Sequence, residues 1–389
     1  MEFKQIDCFS LNIKFWKILG VWPGHIGWPH YKYYSKIFIG VFLIFYVFLL
    51  SLNFFYLPRQ LDIFVEEMLF YFTELAVTSK ILTFLQLRDK IMKILTTIES
   101  DTFQPDTEDG FKIIQKAKKF NTRYWKIIAA ISITSNVTHV SAPMIAHILL
   151  PIDLEFPVCS YSFIPEYYQK KFVYPIYFYQ SFGMNCHMLY NVNIDTFILG
   201  VMILAIAQLD LLDLKLRNLT NGISGEVVND EGELVKKFNR EIVHYGEIAD
   251  FCGLIQDCFS ATLFVQFSMA SCIICTCLFR FTLPAPISYY VFLATYMLVM
   301  IGQIMVPCWF GTRIMDKSCT LSTAIYSSDW TSRTKGFKSS MRIFVERLKR
   351  PVSIIGGKMF PLSLETFTSI MNSAYSFFTL LRHMQTRDR

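Results

Sequence analysis

Ser369, Ser373, Ser376 and Leu380 recur at intervals of four, three and four near the end of the chain. That spacing places side chains on one face of a helix. Small hydroxyls in a row can replace the hydration shell of a passing cation, and an apolar ring at one end can shut such a path by dewetting. The same spacing also lets two membrane helices approach closely, and the residues alone leave both readings open. Other chemistry is sparse. Cys272, Cys275 and Cys277 (CIICTC) lie in an apolar run with no neighbouring His or carboxylate, so they read as small packing residues and not as metal ligands. His139 and His147 are eight apart, roughly on one helix face, yet no carboxylate stands with them in 127–150. A zinc or di-iron site, and with it a membrane enzyme, is not expected. Neither is a cofactor, a metal or a nucleic-acid partner.

The elements that carry these residues are membrane spans. Of 389 residues, 53% are hydrophobic and only 17% charged; globular chains carry about 25% charged residues. Residues 37–57, 127–150, 258–279 and 287–312 are apolar runs of the length that crosses a bilayer. Residues 172–209 form a longer one with a single charge, Asp195. Two weaker segments, 63–85 with Glu66, Glu67, Glu74 and Lys80, and 359–381 with Glu365, bring the expected count to seven. The fold class is therefore all-α and polytopic. Charges inside the membrane are costly, so Glu74 and Asp195 should face protein or water, and Asp195 reads as a packing group.

Lys and Arg are retained on the cytoplasmic side. With the N-terminus inside, segments 1–36, 87–124, 210–253 and 313–358 hold 28 of the 37 Lys and Arg, against 7 outside. The expected topology has the N-terminus in the cytoplasm and the C-terminus outside, the inverse of a G-protein-coupled receptor. The sequons at Asn136 and Asn218 then fall in the bilayer and the cytoplasm and should stay bare. The expected organisation is 1–312 for six spans with an outer pocket, 313–358 for a cytoplasmic helical anchor, and 359–389 for the last span and tail. Within the anchor, Phe337, Met341, Phe344 and Leu348 form an apolar stripe at 4, 3, 4 on an otherwise basic helix. It could lie on the inner leaflet or pack on its counterpart in a neighbouring subunit.

A specific pattern closes the chain: Ala324-Ile325-Tyr326 with Trp330, then Lys349-Arg350-Pro351, Pro361-Leu362-Ser363-Leu364, Thr366-Phe367, and Ala374-Tyr375-Ser376 with Leu380-Leu381. Over about 65 residues it resembles the C-terminal signature of insect odorant receptors. The related gustatory-type channels usually end in Thr-Tyr, five residues and Gln-Phe, where this chain has Ala374-Tyr375 and Leu381-Arg382. Residues 210–253 are too short for the insertion of the family's co-receptor, so a ligand-tuned subunit is the better match. A secondary transporter would show internal repeats, and none is found.

The resemblance implies a ligand-gated, non-selective cation channel in the plasma membrane of sensory dendrites, assembled with the co-receptor into a tetramer whose last helices surround the pore. On that reading Ser369, Ser373 and Ser376 line the path, and Leu380 and Met384 are gate candidates. The family's pocket lies in the outer halves of the spans and takes a small volatile molecule. The residues expected there are Phe70 and Tyr71 on the second span, Asn136, His139 and Pro143 on the third, Tyr177, Met184 and Met188 sharing a face of the fourth, and Tyr290 on the sixth.

Overall fold

The computed structural model describes residues 4–22, 27–57, 61–150, 152–220, 230–284 and 287–387, excepting the side chains of 61–66, 288, 381 and 384–387. The chain is helical nearly throughout. A short helix α1 (Ser10–Ile18) is followed by α2 (Tyr31–Tyr56), α3 (Leu61–Gln86), α4 (Arg88–Ile98), α5 (Glu108–Leu149), α6 (Val173–Arg217), α7 (Glu231–Arg280), α8 (Ile287–Tyr326), α9 (Lys335–Leu348) and α10 (Leu364–Arg387). Six of these, α2, α3, α5, α6, α7 and α8, are long and apolar enough to cross a membrane among the described residues. The seventh, α10, spans 24 residues but carries more polar groups. The protein is a multi-pass membrane protein.

Four helices are much longer than a bilayer requires. At 1.5 Å per residue, the 50 residues of α7 extend about 75 Å, against a hydrocarbon core of about 30 Å. The surplus lies on the side rich in Lys and Arg. There the inner ends of α5, α6, α7 and α8 form a bundle with α4 and α9. That bundle draws on several stretches of sequence, and α8 runs continuously through residue 312.

α6 is the axis of the fold, buried along most of its length. The segment ahead of the first span also belongs to this core. Phe9 and Trp16 are fully buried, and Trp16 meets Phe84 and Phe197 at centroid distances of 4.7 and 4.8 Å. Asn12 donates through Nδ2 to the Asn193 carbonyl at 2.8 Å and to Thr196 Oγ1 at 2.9 Å. A polar residue buried in this way is stable only when bonded. Gln5 and Gln208 both donate to the Phe103 carbonyl, at 2.8 and 2.9 Å, which closes the α4–α5 turn over the N-terminal segment.

The charged residues of the weak second span are explained by α6. Lys80 bonds Asp195 Oδ1 and Asn191 Oδ1, each at 2.6 Å. Glu74 pairs with Nδ1 of His187. Both carboxylates expected to face protein or water do face protein. α2 contains a wide turn over Gly40–Phe45, which leaves carbonyls without helical partners. α6 supplies the donors: Tyr179 to the Val41 carbonyl and His187 Nε2 to the Phe42 carbonyl, both at 2.9 Å.

The stripe on α9 packs inside its own chain. Phe337, Met341, Phe344 and Leu348 are all buried. Phe337 and Phe344 lie on Phe238, at 5.3 and 5.8 Å, and Phe344 also meets Tyr245 at 5.4 Å. These four residues therefore do not form the expected subunit interface or a leaflet-facing surface. The cytoplasmic half of α7 presents a matching aromatic strip, and closing the two together removes both from water.

The terminal signature forms a clamp between α9 and α10. Ile355–Gly356 pairs antiparallel with Phe360–Pro361. The Gly357 amide donates to the Ser260 carbonyl at 3.0 Å. Gly357 has φ +59°, and a Cβ there would fall 2.7 Å from the Phe264 ring, so both backbone and space require glycine. Ser363 caps α10 by accepting the Thr366 amide at 3.2 Å, and the Leu364 amide donates to Thr312 Oγ1 at 3.0 Å. The start of the last helix is thereby fixed to α7 and α8.

Candidate functional site

In the outer half of the bundle, α3, α5 and α8 bring four rings together. Phe70 stands 5.8 Å from His139, 6.3 Å from Phe292 and 6.4 Å from Tyr296, centroid to centroid. His139 lies 6.1 Å from Phe292, which stacks on Tyr296 at 5.8 Å. Below the rings, the hydroxyls of Thr73 and Tyr296 are bonded to each other. Flat faces and a few hydroxyls suit a small, mostly apolar molecule, held by contact area and oriented by one or two polar groups.

The connection between α5 and α6 closes this region from outside. Val158, Cys159 and Tyr161 are buried. Gln180 accepts the amides of Val158 and Cys159 at 3.3 and 3.4 Å and donates to the Cys159 carbonyl at 2.9 Å. Asn53 accepts the Ser162 amide at 2.7 Å. His139 Nε2 lies 2.8 Å from the Pro157 carbonyl, and since a carbonyl only accepts, this nitrogen carries the proton. Burial pushes the Cys159 thiol pKa up. Beneath this loop a cavity is lined by Leu50, Asn53, Phe54, Glu67, Phe70, Tyr71 and Val158.

The nine expected pocket residues are distributed unevenly. Phe70 and His139 meet in the ring cluster. Tyr71 lines the cavity under the loop, stacked on Phe54 at 5.0 Å, with its hydroxyl 3.2 Å from Ser51 Oγ. Asn136 is buried and donates to Asn185 Oδ1 at 2.7 Å, which ties α5 to α6. Pro143 stands within α5, one turn beyond His139. Tyr177 is buried and donates to the Val140 carbonyl. Met184 packs with Tyr46, Leu50 and Val158, whereas Met188 packs with Trp125, Ala129 and Val192. The two methionines of the expected common wall with Tyr177 therefore lie in different clusters.

Tyr290 is also placed elsewhere. It stacks on Phe281 at 6.0 Å and donates to the Leu283 carbonyl at 2.6 Å, which braces the α7–α8 turn. Two residues round a helix are about 200° apart, so Tyr290 and Phe292 cannot share a face. Phe292, Tyr296 and Met300, at i, i+4 and i+8, carried the signal that the sequence reading missed.

The last helix is two-sided. Phe367, Ile370, Met371, Ala374 and Phe378 pack on the bundle. Ser369, Ser373, Ser376 and Leu380 lie on the opposite face and are exposed in the single chain. Ser373 donates to the Ser369 carbonyl and Ser376 to the Asn372 carbonyl, both at 2.9 Å. Their oxygens therefore keep lone pairs directed outward. Met384 lies outside the described residues as a side chain.

The family described as 7tm Odorant receptor matches residues 60–375. Odorant receptor 10 of Aedes albopictus is 26% identical over 192 residues, 49% of this chain and 50% of that protein. Odorant receptor 22b of Drosophila melanogaster is 24% identical over 188 residues, 48% of this chain and 46% of that one. The chain thus spans about half the length of the curated relatives it matches. The solved structure of the insect olfactory receptor OR5 from Machilis hrabei in complex with eugenol superposes with a TM-score of 0.83 at 14% identity, covering 97% of this chain and 98% of that one. At that identity the likeness establishes the fold.

Proposed function

The chain belongs to the 7tm odorant receptor family, and from that premise we propose that it is a ligand-tuned subunit of a non-selective cation channel, assembled with the olfactory co-receptor in the plasma membrane of sensory dendrites. The observation that carries this reading is the two-sided last helix. Its apolar face is consumed by the bundle, while Ser369, Ser373, Ser376 and Leu380 stand exposed on the other face among the described residues. Four such helices around an axis would offer a cation a ring of hydroxyl oxygens at successive levels and an apolar constriction at Leu380. Met384, one turn on, would extend that constriction.

The ring cluster of Phe70, His139, Phe292 and Tyr296 is the proposed odorant site. A route from it to the pore can be traced in contacts. Tyr290, on the same helix as Phe292, is bonded to the Leu283 carbonyl. Leu283 and Phe279 pack on Phe378, two residues from Leu380. An odorant that shifts α8 displaces this turn, and with it the outer end of α10.

Co-expression with the co-receptor in an otherwise silent cell, under voltage clamp with an odorant panel, tests the proposal. Odorant-evoked inward current that requires both subunits is the expected result. Current from this chain without odorant or partner, or stoichiometric solute turnover, would replace it with another mechanism.

A further inference from the structure

Directly below the ring cluster lies a second cavity, lined among others by Thr73, Lys80, Asn191, Gln266, Met300 and Gln303. It has room for about one water-sized group. Thr73 is one turn below Phe70 on α3, and Met300 is one turn below Tyr296 on α8, so the Thr73–Tyr296 hydroxyl pair stands between the ring cluster and this cavity.

The polar lining is incompletely satisfied in a definite way. Gln266 is 4% exposed. Its Nε2 donates to the Gln303 carbonyl at 3.3 Å, which fixes the amide orientation because a carbonyl can only accept. Its Oε1 has no partner among the described residues. Across the cavity, Lys80 spends two of its three ammonium protons on Asn191 and Asp195. The site therefore offers one unmet acceptor and one remaining donor, and a buried acceptor left unmet is costly.

We infer that this cavity is a hydroxyl subsite: it takes the OH of an alcohol or phenol whose apolar body lies among Phe70, Phe292 and Tyr296. A hydroxyl donates to Gln266 Oε1 and accepts from Lys80 at the same time. An aldehyde, ketone, ester or ether can only accept and leaves Gln266 unmet. A carboxylate adds a second anion beside Asp195, and an amine a second cation beside Lys80. For a ligand body among the rings to reach it, Tyr296 swings away from Thr73. This inference rests on the ring cluster being the odorant site.

The test compares three six-carbon compounds, 1-hexanol, hexanal and 1-methoxypentane, on the chain co-expressed with the co-receptor and in thermal melting of the purified full chain. Expected is a potency for 1-hexanol at least about tenfold above the other two, lost in Gln266→Leu and in Gln266→Met, with hexanal and the ether shifted by less than about twofold. Surface abundance of each variant separates folding from binding. Equal shifts for all three compounds, or no preference for the alcohol in the unaltered chain (a cavity that holds only water), would overturn the hydroxyl subsite while leaving the receptor reading in place. Absence of any odorant current would instead defeat the channel reading. Melting would then still decide the subsite, since only a bound hydroxyl stabilises the unaltered chain selectively over Gln266→Leu.

Discussion

The ring of Phe344 on α9 stands edge-on to that of Tyr245 on α7, with centroids 5.4 Å apart and planes at 81°. Edge-to-face pairs of this kind add to the burial of the rings themselves. The contact makes the basic cytoplasmic helix a part of its own subunit's core, with its charged face outward.

Phe344→Ala should therefore destabilise the isolated subunit, by about 3–5 kcal/mol on the scale of buried aromatic truncations. Melting of the purified single chain in detergent measures this, with the neighbouring exposed Ile343→Ala as a control that should change little. If Phe344→Ala left the single-chain melting temperature unchanged and weakened only assembly, the stripe would be an intersubunit contact after all.

A second prediction concerns Lys80 and Asp195, paired at 2.6 Å between α3 and α6. Removing one partner leaves an uncompensated buried charge, at about 3–5 kcal/mol, whereas replacing both by apolar residues of similar size is often neutral. Lys80→Met and Asp195→Leu should each lower thermal stability and surface abundance strongly. The double variant should recover most of both. A double variant no better than the worse single one would mean that Lys80 and Asp195 each act through other neighbours.

These two pairs show how far the sequence could be read. Hydropathy and the Lys and Arg bias reveal the spans and the topology, because both properties are local and repeat over twenty residues. Glu74 and Lys80 weakened the second span only until their partners, His187 and Asp195, came into view more than a hundred positions away. The α9 stripe was equally legible, but Phe238 and Tyr245 are about a hundred residues upstream, and nothing in a periodic pattern names the surface that covers it. The proposed pocket shows the same limit. Phe70 and His139, expected there from the sequence, meet in one ring cluster, whereas the expected Tyr290 braces the α7–α8 turn and its helix sends Phe292 and Tyr296 to the rings instead. The loop that closes the site is held by Gln180 and Asn53 through backbone amides, and such contacts leave no side-chain pattern to find.

The third prediction separates lining from bracing residues. Phe292→Ala and Phe70→Ala should raise the concentration needed for half-maximal current by about tenfold or more for odorants that fill the site, since even a methylene is worth about 1–3 kcal/mol in an apolar pocket. Tyr177→Ala should instead reduce the amount of folded receptor at the surface, because its buried hydroxyl ties α6 to the Val140 carbonyl. Dose–response curves normalised to surface protein resolve the two effects. A change in odorant tuning at Tyr177 with normal abundance would return that residue to the pocket.

The last prediction concerns the exposed face of α10. Leu380 is 56% exposed in the single chain and Ala374 only 1%, so the helix has one face committed to its own bundle and one left for neighbours or the pore. If the exposed face lines a shared pore, the closed state excludes water at the Leu380 ring, and a polar side chain there lowers the cost of wetting. Leu380→Gln and Leu380→Ser should raise basal current or alter ion permeability, with odorant potency shifted much less. The change will be partial where the co-receptor supplies the other helices of the ring. Accessibility gives an independent reading. Ser376→Cys should react with a membrane-impermeant thiol reagent faster when odorant is present, and Ala374→Cys should remain unreactive in both states. The native Cys159 gives little background from the outer side, because burial in its loop raises its thiol pKa and so suppresses the reactive thiolate at neutral pH. Conductance and permeability indifferent to polar residues at 376 and 380, together with equal reactivity at 374 and 376, would mean that the serine face packs against lipid or a neighbouring helix and that cations cross elsewhere.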